Sequence, residues 1–220
     1  MELINKSFWA NKKVLITGHT GFKGSWLLLW LLNLGAKVYC YSLAPVGERN
    51  LFINLFKNQK ISLDFEETYC DIRDHESLSK WVDHSKPDIV FHLAAQPLVM
   101  ESYLQPLYTW EVNLMGTLKI LESLKKIDHI CSVIMITTDK VYLNREQIYD
   151  FKENDCLGGK DPYSASKASA EIAIASWRNS FCGNAKHQTN NLRIATARAG
   201  NVIGGGDWSK DRIIPDIITS

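Results

Sequence analysis

The sequence predicts an α/β fold built on a doubly wound parallel sheet. Short β-branched runs alternate with longer amphipathic stretches, a glycine-rich turn joins the first run to an apolar helix, and no repeat or low-complexity tract interrupts the alternation. With 220 residues and 45% hydrophobic composition the chain can bury one substantial core.

The elements follow in order. Residues 13–17 read as the first strand, and residues 23–34 as an apolar helix closed by Gly35. A second strand spans 36–42. Residues 45–65 are irregular, with a short helix expected over 51–56, and 67–70 form a short strand. Asp74 is the expected N-cap of a helix over 74–84, which has apolar spacing at Leu78, Trp81 and Val82 and is stopped by Pro87. A strand over 88–93 leads to a long helix over 106–126, where Val112, Met115, Leu118, Leu121 and Leu124 recur at three-residue steps. A strand over 132–137 precedes a loop, 138–162, whose length marks it as functional. A helix over 163–181 and a strand over 192–198 complete six strands joined by crossovers. In such sheets ligands sit beyond the carboxyl ends of the strands.

Composition narrows the function. Lys plus Arg number 25 against 24 Asp plus Glu, a formal charge of +1 that offers no field to recruit nucleic acid or an anionic membrane. The five cysteines are widely spaced without a Cys-x-x-Cys pair, so no metal site is expected and a reducing, cytoplasmic compartment fits. The N-terminus lacks a signal pattern. The most apolar run, residues 26–32, is far shorter than the roughly 18–20 residues that span a bilayer.

Between the first strand and helix stands Gly18-His19-Thr20-Gly21-Phe22-Lys23-Gly24. Side chains at the first two glycines would block the turn or hold a pyrophosphate off the backbone N–H groups at the positive helix end, and the third glycine permits close helix–strand packing. In this position the spacing predicts a dinucleotide site formed by Gly18, Thr20, Gly21, Phe22, Lys23 and Gly24. The acidic residue often found at the end of strand two is replaced by Ser42, which leaves NAD against NADP undecided there; the absence of an Arg for a 2′-phosphate favours NAD. Asp71 and Ile72, and Leu93, Ala94 and Ala95, stand at later strand ends as candidate cofactor contacts.

Tyr163 and Lys167 open a helix at i and i+4, on one face of one turn. A free phenol ionises near pH 10 and is a poor base, but an adjacent ammonium together with a positive nicotinamide ring favours the phenolate, so Tyr163 can take an alcohol proton as hydride leaves. Thr138 ends a central strand where its hydroxyl can bond the same oxygen. Asp139 and Lys140 follow at once. Alcohol oxidation needs neither, so they suggest additional proton transfers.

These words, together with Leu93-Ala94-Ala95-Gln96-Pro97-Leu98-Val99, Asn113-Leu114-Met115-Gly116-Thr117 and Arg198-Ala199-Gly200-Asn201-Val202-Ile203-Gly204-Gly205-Gly206-Asp207-Trp208, cover nearly the whole chain. The sequence resembles the extended short-chain dehydrogenase/reductases, and among them the NAD-dependent epimerase/dehydratase group acting on nucleotide sugars. The resemblance implies a Rossmann-type NAD-binding domain over residues 1–200, with residues 201–220 beginning a small C-terminal substrate lobe that is largely missing. It implies CDP-glucose as substrate and CDP-4-keto-6-deoxyglucose as product. In that chemistry Tyr163, Lys167 and Thr138 serve the C4 oxidation, Lys140 as a neutral amine removes the C5 proton, and Asp139 protonates the departing 6-hydroxyl. Related dehydratases carry Glu where Lys140 stands. Gln96, Asn201 and Arg212 are the implied substrate contacts, and a homodimer through the helices over 106–126 and from 163 is implied by analogy. Another sugar-nucleotide epimerase or dehydratase, or a non-catalytic NAD-binding remnant, remains open on the residues alone.

Overall fold

A computed structural model describes residues 5–57, 64–182 and 191–219. Six parallel strands form one sheet: β1 (Lys13–Thr17), β2 (Lys37–Ser42), β3 (Phe65–Tyr69), β4 (Ile89–His92), β5 (Cys131–Ile136) and β6 (Leu192–Ala197). Their order is β3-β2-β1-β4-β5-β6, every pairing parallel, which is the Rossmann arrangement. The order reverses between β1 and β4, and a crevice opens beyond their carboxyl ends.

The helices cover both faces: α1 (Lys6–Trp9), α2 (Phe22–Asn33), α3 (His75–Ser85), α4 (Val99–Leu104), α5 (Pro106–Trp110), α6 (Gly116–Leu124), α7 (Pro162–Phe181) and α8 (Ile213–Thr219). One buried cluster packs Leu28 and Leu31 of α2 against Val14, Ile16, Val38 and Cys40. On the other face Leu78, Val82, Ile120, Leu121, Leu124 and Ile174 pack against Leu15, Val90, Val133 and Met135. The central strands β1, β4 and β5 thus bury side chains toward both layers, as parallel sheets require. Asp74 caps α3 through Ser77 N, and Gly35 follows α2 with φ +82°.

The sequence expectation differs from the structure in four places. The helix over 106–126 is split: a π-helical turn, Glu111–Met115, separates α5 from α6. The short helix expected over 51–56 ends in a second π-helical turn, Ile53–Lys57, and residues 58–63 of that irregular segment lie outside the described residues. The loop over 138–162 is partly ordered by a 3₁₀ turn, Asp139–Val141, and a bridge between Tyr142 and Leu157. Helices α1, α4 and α8 were not expected. The exposed Ile213, Ile214 and Ile218 leave α8 with little apolar contrast between its faces. Among the described residues no helix is long and apolar enough to cross a membrane.

Candidate active site

The glycine turn is built by steric necessity. Gly18 has φ +81°, and a Cβ there would lie 2.7 Å from Ala94 N; a Cβ on Gly24 would lie 2.1 Å from Gly18 O. Gly18 N donates to Tyr41 O at 2.9 Å and Gly21 N to Gly18 O at 3.2 Å, while Ser25 Oγ donates to His19 O and Gly21 O. The turn therefore lies flat on the sheet end and presents the N-terminus of α2 to the crevice. Behind it Thr17 Oγ1 bonds His92 Nδ1 at 2.7 Å and accepts from Ala94 N at 3.3 Å, which ties the ends of β1 and β4 together.

All twelve residues expected at the cofactor, apart from Tyr163 and Lys167, line one cavity of about 300 Å³ along this crevice. The Thr20 and Ser42 hydroxyls bond each other at 2.7 Å on its wall. Asp71 is gripped by the Arg73 guanidinium, whose hydrogen bonds outweigh the effect of burial and hold the carboxyl below its usual range. Lys23 and Arg212 line both this cavity and a second one beside it.

The second cavity brings together Thr138, Lys140, Tyr163, Asn201, Lys23 and Arg212. Thr138 reaches it from the end of β5. Tyr163 reaches it from the first turn of α7, whose start is fixed by a capping box between Asp161 and Ser164. A Cβ on Gly159 would sit 2.2 Å from Ala165 N, so the loop can lie against that turn only because residue 159 is glycine. Lys140 Nζ donates to Asn201 Oδ1 at 2.9 Å and to Asp139 Oδ1 at 3.4 Å, and Thr138 Oγ1 donates to Asp139 Oδ1 at 3.1 Å. Asp139 itself opens onto an adjoining cavity that shares Lys140. The acid and the amine thus stand where two hollows meet, rather than all four groups ringing one space.

The structure corrects one expectation. Gln96 is buried, with Nε2 donating to Leu98 O and Thr109 Oγ1 and Oε1 accepting from Leu98 N; its amide braces the chain after β4 and has no donor left for a substrate. Burial raises the Tyr163 phenol above its ordinary value, with Thr138 and Arg212 the groups that favour ionisation. Lys167 is turned into the sheet, donating to Ile136 O at 3.2 Å, and burial followed by repulsion from Lys23 pushes its ammonium down to about 8.

The electrostatics favour an anion. Burial, then Arg212 and Lys140, lower the Lys23 ammonium, and Arg212 Nε is buried without a hydrogen-bond partner. Asp207, which no sequence pattern marks for a task, lines both cavities; only the fold brings its loop back over the turn, where Trp26 Nε1 donates to Gly205 O at 3.0 Å. Among the described residues no cluster could hold a metal ion. The flat glycine turn and the free helix N-terminus fit a dinucleotide whose pyrophosphate lies across the turn.

Comparison with known proteins places these features. The family model described as GDP-mannose 4,6 dehydratase matches residues 15–190. A CDP-glucose 4,6-dehydratase of Salmonella typhimurium is 49% identical over 219 residues, covering 99% of this chain and 60% of that protein's length. Among solved structures, a UDP-N-acetylglucosamine 4-epimerase from Methanobrevibacter ruminantium superposes with a TM-score of 0.77 at 27% identity, covering 96% of this chain and 62% of that one. The epimerase Mth375 from Methanothermobacter thermautotrophicus superposes with a TM-score of 0.79 at 25% identity, covering 97% and 59%.

Proposed function

The chain belongs to the GDP-mannose 4,6 dehydratase family, and on that premise we propose that it converts CDP-glucose to CDP-4-keto-6-deoxyglucose on an NAD-binding domain, residues 1–200, with residues 201–220 beginning the substrate-binding region. The observation that carries this is the meeting of Thr138, Asp139 and Lys140 with Tyr163 beside the glycine turn: an epimerase would need the first and last of these and would have no task for the middle pair. The choice of CDP-glucose among nucleotide sugars follows the Salmonella relative.

The residues divide the work. Gly18, Gly21 and Gly24 let the cofactor pyrophosphate approach the backbone N–H groups, with Lys23 supplying charge; Thr20 and Ser42 face the adenosine ribose, and Asp71, Ile72 and Leu93 to Ala95 form the walls. When bound, NAD would supply the acceptor for the C4 hydride and the donor of the same hydride to C6, with zero net redox change. Tyr163 takes the proton of the 4-hydroxyl, helped by the Thr138 hydroxyl and by the positive charges that a loaded cleft adds to Lys167 and Arg212. The 4-ketone acidifies the C5 proton. Lys140 Nζ, 3.4 Å from Asp139 Oδ1, accepts that C5 proton as a neutral amine, and Asp139 as a carboxylic acid protonates the departing 6-hydroxyl. Lys140 then returns its proton to C5, and the 4-hydroxyl proton held by Tyr163 passes back to Asp139, so that each group ends as it began. Asn201 and Arg212 face the substrate diphosphate. The same reading pairs two copies through the helices around residues 106–126 and α7, where Leu107, Met115 and Ile172 are exposed.

The test is direct: the purified chain is incubated with CDP-glucose and NAD, and the alkali-induced absorbance of a 4-keto-6-deoxy sugar is followed. Its appearance is expected. A product inverted at C4 would assign an epimerase instead, and cofactor binding without turnover of any nucleotide hexose would remove the catalytic reading.

A further inference from the structure

Behind the cleft, outside every residue given a role above, lies a buried ion pair. Glu171 stands on α7 one turn beyond Lys167, with its side chain 5% exposed. Arg198, just past the end of β6, takes both carboxylate oxygens, Nε on Oε1 and Nη2 on Oε2 at 3.0 Å each. The Thr137 hydroxyl donates to Oε1 at 2.5 Å. Arg198 in turn donates Nη1 to Glu153 O at 3.1 Å and lies over the Tyr142 ring, 4.8 Å from its centroid. One pair therefore ties α7, the ends of β5 and β6, and the loop after Lys140 into a single unit.

We propose that Glu171, held by Arg198, is a positioning residue of the site: it locks the strand end bearing Thr138, Asp139 and Lys140 against the helix bearing Tyr163 and Lys167, and it faces Lys167 with the counter-charge that the cleft otherwise withholds. The proposal rests on the reading of Tyr163 and Lys167 as a working pair.

The surroundings of Lys167 leave few other sources of that charge. Lys23 faces it from α2 and repels it; His92 faces it from β4 and is kept neutral by burial; the phenol of Tyr163 stands one turn before it on α7; and from β5 the Ile136 carbonyl accepts its hydrogen bond. Glu171 is the anion in this set. Its own ionisation is secured, because the hydrogen bonds from Arg198 and Thr137 overcome the effect of burial and hold the carboxyl below its ordinary value. A buried carboxylate with a hydroxyl donor and a bidentate guanidinium is costly to build and strongly destabilising to break, which suits a fixed reference point better than a surface contact.

The test reads Lys167 directly, by NMR titration of lysine labelled at Cε in the full chain without cofactor or sugar nucleotide, the signal being assigned by its loss in Lys167→Met. In Glu171→Gln, which keeps the side-chain length and an acceptor for Thr137, the Lys167 midpoint is expected to fall by about one pH unit. In Glu171→Asp, which keeps the charge, it is expected to stay within a few tenths of the unsubstituted value. An unmoved midpoint in folded Glu171→Gln overturns the proposal. Should that variant fail to fold, the unsubstituted chain decides: the Glu171 carboxyl carbon is expected to show no titration between about pH 5 and 9, and a titration there overturns the proposal equally. Since neither measurement needs turnover, an inactive enzyme would count against the functional reading alone.

Discussion

On the proposed reading, Lys140 is the residue that separates dehydration from simple oxidation. Its Nζ sits 2.9 Å from Asn201 Oδ1 and 3.4 Å from Asp139 Oδ1, so it is held between an amide and a carboxylate at the mouth of the cleft. Methionine keeps the stem and removes the proton carrier. Lys140→Met is therefore expected to leave C4 oxidation intact, seen as reduced cofactor forming on addition of CDP-glucose, while formation of the 4-keto-6-deoxy product falls by about 10²–10⁴-fold, the usual worth of a positioned acid or base. Full product formation in that variant would remove Lys140 from the reaction. At this scale the sequence disclosed which groups are present and not what state they are in. The spacing of Tyr163 and Lys167 was plain, yet the rise in the phenol and the depression of the ammonium come from burial, which no local pattern records. Gln96 misled for the same reason: its partner Thr109 lies 13 positions away, on α5.

Elements were legible where one periodicity governed them and less so where tertiary contacts intervened. Strands β1 and β2 and helices α2, α3 and α7 follow their apolar spacing and capping signals within a residue or so. Around Glu111–Met115 the spacing of Val112 and Met115 reads as ordinary helix, but the structure inserts a π-helical turn that carries Asn113 inward. There Asn113 Nδ2 donates to Gln96 O and Ser166 Oγ, and Oδ1 accepts from Gln96 N. A polar residue that braces three segments outweighs the regularity of one helix, and a linear reading cannot foresee its partners. Helix α7 shows the reverse case, a local signal with a distant consequence. Asp161 accepts from Ser164 N at 2.9 Å and from Ser164 Oγ at 2.6 Å, and Tyr163 stands inside that first turn. Asp161→Ala is expected to lower unfolding stability by about 1 kcal/mol in a urea titration and to slow turnover as the phenol loses its fixed position. Unchanged stability together with unchanged turnover would show that the sheet, and not the cap, sets where α7 begins.

For the molecule as a whole, the sheet end that makes the cleft also makes the fold sensitive to acid. His92 ends β4 between Thr17 and Thr117, and His19 sits inside the glycine turn against Phe52; both are almost wholly buried. Burial, then the charge of Lys167, pushes His92 down to about 3, and burial pushes His19 down to about 4 despite Glu67 beside it. In the unfolded chain each titrates near 6.5. Between these values the unfolded state binds protons that the folded state refuses, so stability falls as pH drops below about 6.5 and keeps falling to about 4 for His19 and about 3 for His92. At about 1.4 kcal/mol per displaced pH unit the two sum to several kcal/mol, a large share of what a single domain has. Glu171 acts with opposite timing. Its folded value lies below the ordinary 4.5, so its contribution is present above that value and is lost only at lower pH. The urea midpoint is therefore expected to fall steadily from pH 7 to pH 4.5 through the histidines alone, and His92→Gln, which keeps a hydrogen-bonding side chain without a titrating ring, should flatten that slope. Equal midpoints at the two pH values would mean that the strand ends open enough to let His92 and His19 take up protons while the fold persists, and a cleft that loose could not hold Thr138 and Tyr163 to one substrate oxygen.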